Sequence, residues 1–222
     1  MLAGPATREG PAVHEGSAVT RPIALVDYGA GNLTSVRKGL SAAGADLYMP
    51  ATPDELGKAA GIVIPGVAHF RATASLGDDW RAGILSRVRA GVPLFGICLG
   101  MQWLFDSSDE APEVAGLGLV DGHCIRIDAP APLKVPHVGW NTLEQSPRRG
   151  VLLREVGDGA HVYFTHTYAA PVTADCTASA AHGLRFAAVV ERDLVCGVQF
   201  HPEKSSVAGV QILRNFVRMV RS

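Results

Sequence analysis

The sequence predicts an α/β domain, with an open, mostly parallel sheet flanked by helices and an antiparallel extension in the second half. Three observations predict it. Short apolar runs alternate with helical stretches four times between Ile23 and Phe105, and crossovers of this kind give parallel strands covered on both faces. The fourth run ends in a Gly-x-Cys-x-Gly turn, Gly96-Ile97-Cys98-Leu99-Gly100, the layout of a nucleophile elbow with Cys in place of Ser. Beyond Phe105 the texture changes to turn-rich, more antiparallel segments.

Taken in order, Ile23 to Asp27 reads as a buried first strand, and Tyr28-Gly29-Ala30-Gly31-Asn32 as a tight glycine turn into a helix ending near Ala43. That turn lacks the full dinucleotide fingerprint and the P-loop lysine, so a packing turn outweighs a phosphate cradle. Ala45 to Met49 is a short second strand. Thr52-Pro53-Asp54-Glu55 starts a helix, with an N-cap, Pro at the first position and acids behind it. Gly61 to Ile64 is a third strand opening into Pro65-Gly66-Val67-Ala68, at the carboxyl end where open α/β sheets keep their sites. A helix over Asp79 to Arg89 precedes the fourth strand, Leu94 to Ile97, and Leu99 to Phe105 is helical. Asp106 to Gly118 is a polar, acidic loop. Leu119 to Ile127, Val138 to Leu143 and Val162 to Tyr168 read as strands. Phe186 to Glu191 and Leu194 to Val198 form a hairpin around Arg192-Asp193, and Ser205 or Ser206 caps an amphipathic helix to Val220.

Bulk properties narrow the class. The 222 residues suit one α/β domain or two small ones, and 47% apolar content supports a full core. A formal net charge of -1 leaves no basic footprint for nucleic acid. Cys98, Cys124, Cys176 and Cys196 are scattered, without a Cys-x-x-Cys pair, which fits a reducing, cytoplasmic setting. No apolar run approaches a membrane span, and no His or Cys pair has metal-ligand spacing with acidic support. We therefore expect no membrane, metal or cofactor. Met1 to Thr20 is rich in Ala, Gly and Pro without the apolar centre of a secretory signal; it is a disordered leader or the product of a misassigned start codon. The expected division is a leader over 1–21 and one domain over 22–222.

Cys98 is the candidate nucleophile. The turn pushes its sulfur out beside a new helix, whose dipole favours the thiolate. The plainer reading is a buried Cys in an apolar βα unit. A cysteine nucleophile needs a base that holds its proton and returns it to the leaving amine, and a third group to orient that base. Of eight histidines, His201 is best placed, directly after a strand, with Pro202 fixing the turn. Glu203 follows two positions on, the same side of an extended backbone. Either ring nitrogen can face Cys98. By itself His-Pro-Glu reads as a surface turn, and His137, His161 and His166 read as edge or hydrogen-bonded core histidines. Oxyanion donors come from the Leu99 N–H and from the glycine loop Gly66-Val67, whose peptide can flip; one such donor is worth about 3 kcal/mol of barrier. The set points to acyl transfer or amide hydrolysis through a thioester.

Together, Gly96 to Gln102 and Val198 to Glu203 resemble the class I (triad) glutamine amidotransferases, whose sheet is flavodoxin-like. Within them the chain is similar to the glutaminase-subunit family of imidazole glycerol phosphate synthase. The matching stretches are Asp27 to Leu33, Pro65-Gly66-Val67, Met101 after the elbow, Pro136 to Asn141, His166-Thr167-Tyr168 and His201 to Ser206. The resemblance runs from about Ile23 to the C-terminus. It implies a Cys98, His201, Glu203 triad that hydrolyses L-glutamine to glutamate. Ammonia would pass to a (βα)8-barrel cyclase subunit in a heterodimer, which converts PRFAR to imidazole glycerol phosphate and AICAR in histidine biosynthesis. It implies oxyanion donors at Val67 and Leu99, and Gly66, Gln102, His166, Thr167 and Tyr168 beside the substrate. Asn32, His137, Trp140, Asn141, Tyr163 and Lys204 would lie near the subunit interface or ammonia exit. Activity would be nearly silent until the partner binds its nucleotide, with Pro65-Gly66-Val67 as the point of control.

Two features depart from the family pattern: the leader, and Ala68 where a second glycine is usual. A methyl group there restricts positive φ. The alternatives are the glutaminase subunit of a different synthase, a hydrolase of other acyl compounds, or a catalytically silent regulatory subunit. The last predicts loss of Cys98, His201 or Glu203, and all three are present.

Overall fold

The computed structural model describes residues 21–222, so the expected leader lies outside the described residues except for Arg21. The elements run β1 (Ile23–Leu25), α1 (Leu33–Ala42), β2 (Leu47–Tyr48), β3 (Gly61–Ile64), α2 (Gly77–Arg89), β4 (Leu94–Ile97) and α3 (Leu99–Trp103). There follow β5 (Ser107–Ser108), β6 (His123–Arg126), β7 (His137–Thr142), β8 (Glu144–Gln145), β9 (His161–His166) and β10 (Tyr168–Ala169). The chain ends with β11 (Cys176–His182), β12 (Leu184–Arg192), β13 (Val195–Val198) and α4 (Ser206–Arg221).

Eight strands form the main sheet in the order β2-β1-β3-β4-β13-β12-β11-β8. From β2 to β13 neighbours pair parallel, and from β13 to β8 they pair antiparallel. The parallel core with an antiparallel continuation is the predicted architecture. β7 and β9 form a separate antiparallel ribbon, and β10, β6 and β5 a small third sheet.

Side-chain alternation sorts the core into two layers. Ile23, Leu25, Phe95 and Ile97 face α1 and α4, while Ala24, Leu94, Met101 and Phe105 belong to the layer under α2 and α3. Phe95 stacks on Phe216 of α4 with ring centroids 4.9 Å apart. Fully burying such a side chain contributes about 2–3 kcal/mol. On the other face α3 presses on the sheet. A Cβ on Gly96 would lie 2.5 Å from the Gly100 carbonyl oxygen, and one on Gly100 would run into Ile64. Only glycine permits this approach, and the approach sets the height of Cys98 above the sheet.

Several expected elements changed. Pro53–Lys58 is a 3-10 turn rather than an α-helix, and Thr52 makes no side-chain cap. The strand expected over Leu119 to Ile127 shortens to β6, and that over Val162 to Tyr168 breaks at Thr167, so that β10 pairs with β6. β11 has no counterpart in the sequence reading. Its residues, Cys-Thr-Ala-Ser-Ala-Ala-His, include only one β-branched side chain, Thr177, among small ones, little of what marks strands. Its place between β8 and β12 makes it one: tertiary pairing overrides propensity. No helix among the described residues is long and apolar enough to cross a membrane.

Candidate active site

β3, β4 and β13 are neighbours, and each ends in a segment that builds the site, as open α/β sheets favour. The register Ile97↔Val198 continues in a Cys98 N–H to Val198 carbonyl bond of 2.8 Å. Cys98 turns there at φ 54°, ψ −106°, a backbone uncommon for a non-glycine residue. The elbow is real, but α3 has only five residues, so the helix dipole has less reach than the sequence reading assumed. The Cys98 sulfur donates weakly to the Thr165 carbonyl at 3.9 Å and accepts from Gln199 Nε2 at 3.8 Å.

His201 is buried at the end of β13. Its Nδ1 meets Glu203 Oε1 at 2.9 Å, and both side chains are 1% exposed. Nε2 is buried without a hydrogen-bond partner. The nitrogen left open by the sequence is thereby assigned: Nδ1 belongs to the carboxylate, and Nε2 is the free one. Glu203 reaches the ring from a 3-10 turn, Pro202–Lys204, and not from the extended backbone expected. Ser205 fixes that turn, donating to the His201 carbonyl at 2.6 Å and accepting the Tyr163 N–H at 3.0 Å. Burial by itself would lower the His201 pKa. The hydrogen bond and charge of Glu203, with the Cys98 sulfur close by, outweigh it and raise the pKa to about 9.

Asn32 donates its amide to the same Glu203 oxygen. The left-handed turn after Gly31 (Asn32 φ 59°) aims the side chain at the carboxylate, a contact not foreseen in its expected place near the interface or ammonia exit. The two backbone donors expected to form the oxyanion hole, at Val67 and Leu99, are engaged with the protein's own carbonyls. The Leu99 N–H donates to the Gly66 carbonyl at 3.2 Å and the Val67 N–H to the Ala30 carbonyl at 2.9 Å. Both donors are occupied, the Leu99 N–H by the Gly66 carbonyl. Tyr28 steadies this arrangement, donating to the Pro65 carbonyl at 2.7 Å. Ala68 is not at positive φ, so its methyl adds no strain here.

A cavity of about 260 Å³ opens over Cys98, near the small end of ordinary ligand sites. Leu99, Gln102, His166, Thr167 and Tyr168 line it, together with Val67, Glu110, His69, Thr165 and Pro136, while Gly66 does not. Gln102 spends both Nε2 hydrogens, on the Tyr168 carbonyl at 2.7 Å and on Gln199 Oε1 at 3.1 Å. Its Oε1 is left as an acceptor. Glu110, absent from the sequence reading because it sits in the acidic loop, accepts the Phe70 N–H through one oxygen at 2.8 Å. Its carboxylate thus stands at the cavity wall with the other oxygen uncommitted. Among the described residues no group of three or more His, Cys, Asp or Glu is placed to hold a metal.

A family model for class I glutamine amidotransferases matches residues 24–220. The chain belongs to the class I glutamine amidotransferases. Among curated relatives, the imidazole glycerol phosphate synthase subunit HisH of Gloeobacter violaceus is 47% identical over 210 residues, 92% of each chain. That of Moorella thermoacetica is 43% identical over 207 residues, 90% of this chain and 96% of the relative. The chain is thus a HisH-family amidotransferase. A crystal structure of a glutamine amidotransferase, 18% identical, covers 90% of this chain and 99% of its own with a TM-score of 0.69. PurLQS from Thermotoga maritima, 16% identical, covers 90% and 98% with a TM-score of 0.70. Both share the fold.

The remaining residues of this amidotransferase divide into two groups. Trp140 is 54% exposed and packs edge-on against Tyr163, with Lys204 Nζ 5.8 Å above the Tyr163 ring. These three, with exposed Val138, form one surface patch beside the triad turn. His137 does not join them. It is 4% exposed, because alternation along β7 turns it inward while Val138 faces out. Asn141 is half-buried, donating to the Ala181 carbonyl at 2.9 Å.

Proposed function

We propose that this chain is the glutaminase subunit of an imidazole glycerol phosphate synthase. It hydrolyses L-glutamine through a Cys98 glutamyl thioester and hands the ammonia to a cyclase subunit for histidine biosynthesis. The observation that carries this reading is the elbow cysteine beside a buried His201 held by Glu203, in a chain of the HisH family. His201 Nε2 holds the proton that Cys98 gives up for sulfur to attack the carboxamide carbon, and passes it to the departing ammonia. Water then cleaves the thioester by the same base. Glu203, with Asn32 on its oxygen, keeps Nδ1 protonated and stabilises the imidazolium. Gln102 Oε1 and Glu110 supply acceptors suited to the α-ammonium of glutamine.

The Pro65-Gly66-Val67 segment supports control by a partner. Turning the Gly66-Val67 peptide withdraws the carbonyl from the Leu99 N–H and frees the Val67 N–H from Ala30. Two backbone hydrogen bonds are lost, each worth about 1 kcal/mol net, and two oxyanion donors appear. With no oxyanion present the closed form wins. The Trp140, Tyr163 and Lys204 patch beside the triad turn is where a partner cyclase, in our reading a (βα)8 barrel, would dock and receive ammonia.

The test is glutamate release, with Cys98→Ala as blank, by the protein alone, with a cyclase subunit, and with cyclase plus a PRFAR analogue. Strong release only in the last mixture is expected. High release by the protein alone overturns the gated reading, and none in any mixture overturns the glutaminase.

A further inference from the structure

The buried histidines of the ribbon form a directed chain whose tautomers the surroundings dictate. The Thr142 N–H donates to Asn141 Oδ1 at 2.8 Å, and Asn141 Nδ2 donates to the Ala181 carbonyl at 2.9 Å, so the amide cannot be flipped. The same Nδ2 faces His137 Nε2 at 3.4 Å, marking that nitrogen as an acceptor. His137 Nδ1 then carries the proton and donates to His166 Nε2 at 3.0 Å. His166 Nδ1 donates to the Tyr168 carbonyl at 2.9 Å, which also receives Gln102 Nε2. Burial pushes His137 down to about 4 and His166 down to about 3, so both rings stay neutral.

Two consequences follow. His166 lines the cavity, yet both its nitrogens are committed, so it offers the substrate a wall and no hydrogen bond. The polar work falls to Gln102, whose orientation depends on the Tyr168 carbonyl that His166 holds. We propose that His137 is a positioning residue for glutamine binding. Through His166 and the Tyr168 carbonyl it keeps Gln102 Oε1 turned toward the substrate's ammonium. The inference rests on the glutaminase reading. It predicts that His137 governs KM for glutamine and leaves kcat nearly untouched, because no hydrogen bond of the chain runs to His201 or to the oxyanion donors.

The experiment compares wild type with His137→Phe, His137→Asn and Asn141→Ala, each in complex with the cyclase subunit and its nucleotide ligand. Phe keeps the stacking on Phe164 and His182 but removes the donor. Asn restores a donor near Nδ1. Asn141→Ala releases the tautomer lock from a half-buried position and tests the chain without altering its buried rings. We expect KM to rise on the order of tenfold for His137→Phe and about threefold for Asn141→Ala, with kcat within twofold of wild type; His137→Asn should recover most of the loss. A fall in kcat at unchanged KM, unchanged KM in the Phe and Ala variants, or an Asn variant no better than Phe overturns the proposal. If His137→Phe fails to fold, Asn141→Ala and His137→Asn decide by the same criteria. A wild-type complex that does not hydrolyse glutamine overturns the glutaminase reading, and this assignment with it.

Discussion

Two buried histidine sites near Cys98 behave in opposite ways. At the end of β13, His201 is 1% exposed and its pKa is raised to about 9. In the β7–β9 ribbon, His166 is 7% exposed and lowered to about 3. Desolvation is the largest influence at both, and it favours the neutral ring. The neighbours decide the sign. Glu203 offers His201 a hydrogen bond and negative charge beside the Cys98 sulfur, whereas His166 meets His137, His182 and His201, each costly to charge beside it. One site is built to accept a proton and the other to refuse it, so the same residue type serves chemistry in one place and geometry in the other.

The largest test of this contrast is Cys98→Ala, which should lower glutamine turnover about 10⁴-fold or more while leaving cyclase binding intact, read by glutamate release and size-exclusion chromatography. Glu203→Gln removes the charge but keeps the shape. It should cost about 10³-fold in kcat and move His201 downward toward its ordinary value near 6.5, visible by NMR titration of the ring. Asn32→Gly preserves the left-handed turn and deletes only the amide donor; a loss of about tenfold in kcat is expected, since Glu203 keeps its bond to Nδ1.

The smallest effect is on stability against pH. Unfolded histidines titrate near 6.5, so below that value the unfolded chain takes up protons that folded His137 and His166 refuse. Denaturant stability should therefore fall as pH drops from about 6.5 toward 4 and 3, and His137→Phe should flatten that slope by about one proton. His201 has the opposite sign: its contribution is full below about 6.5 and is lost as pH rises through 9. A stability profile that is level from pH 7 to 4 would contradict the neutral-dyad assignment.

Much of the parallel half was legible because local signals agree with the global fold there. β3 and β4 were read residue for residue, since short apolar runs bounded by glycine and proline have little else to be. The antiparallel half was read less well. β11 carries little strand signature of its own, and β9 and β10 separate at Thr167 because β6 claims the end of the run.

By itself the sequence determined the α/β class and the elbow at Cys98, because each is written in contiguous residues, and it named His201 and Glu203 as partners without the 3-10 turn through which they meet. Only the tertiary structure decided that Asn32 grips Glu203 from 171 residues away, that the Leu99 and Val67 donors are already occupied, and that His137 faces inward. Those facts depend on which backbone and side-chain groups meet across elements. Hydrogen bonds between distant parts of the chain, and the pKa shifts that neighbours impose, leave no periodicity in the sequence to be read.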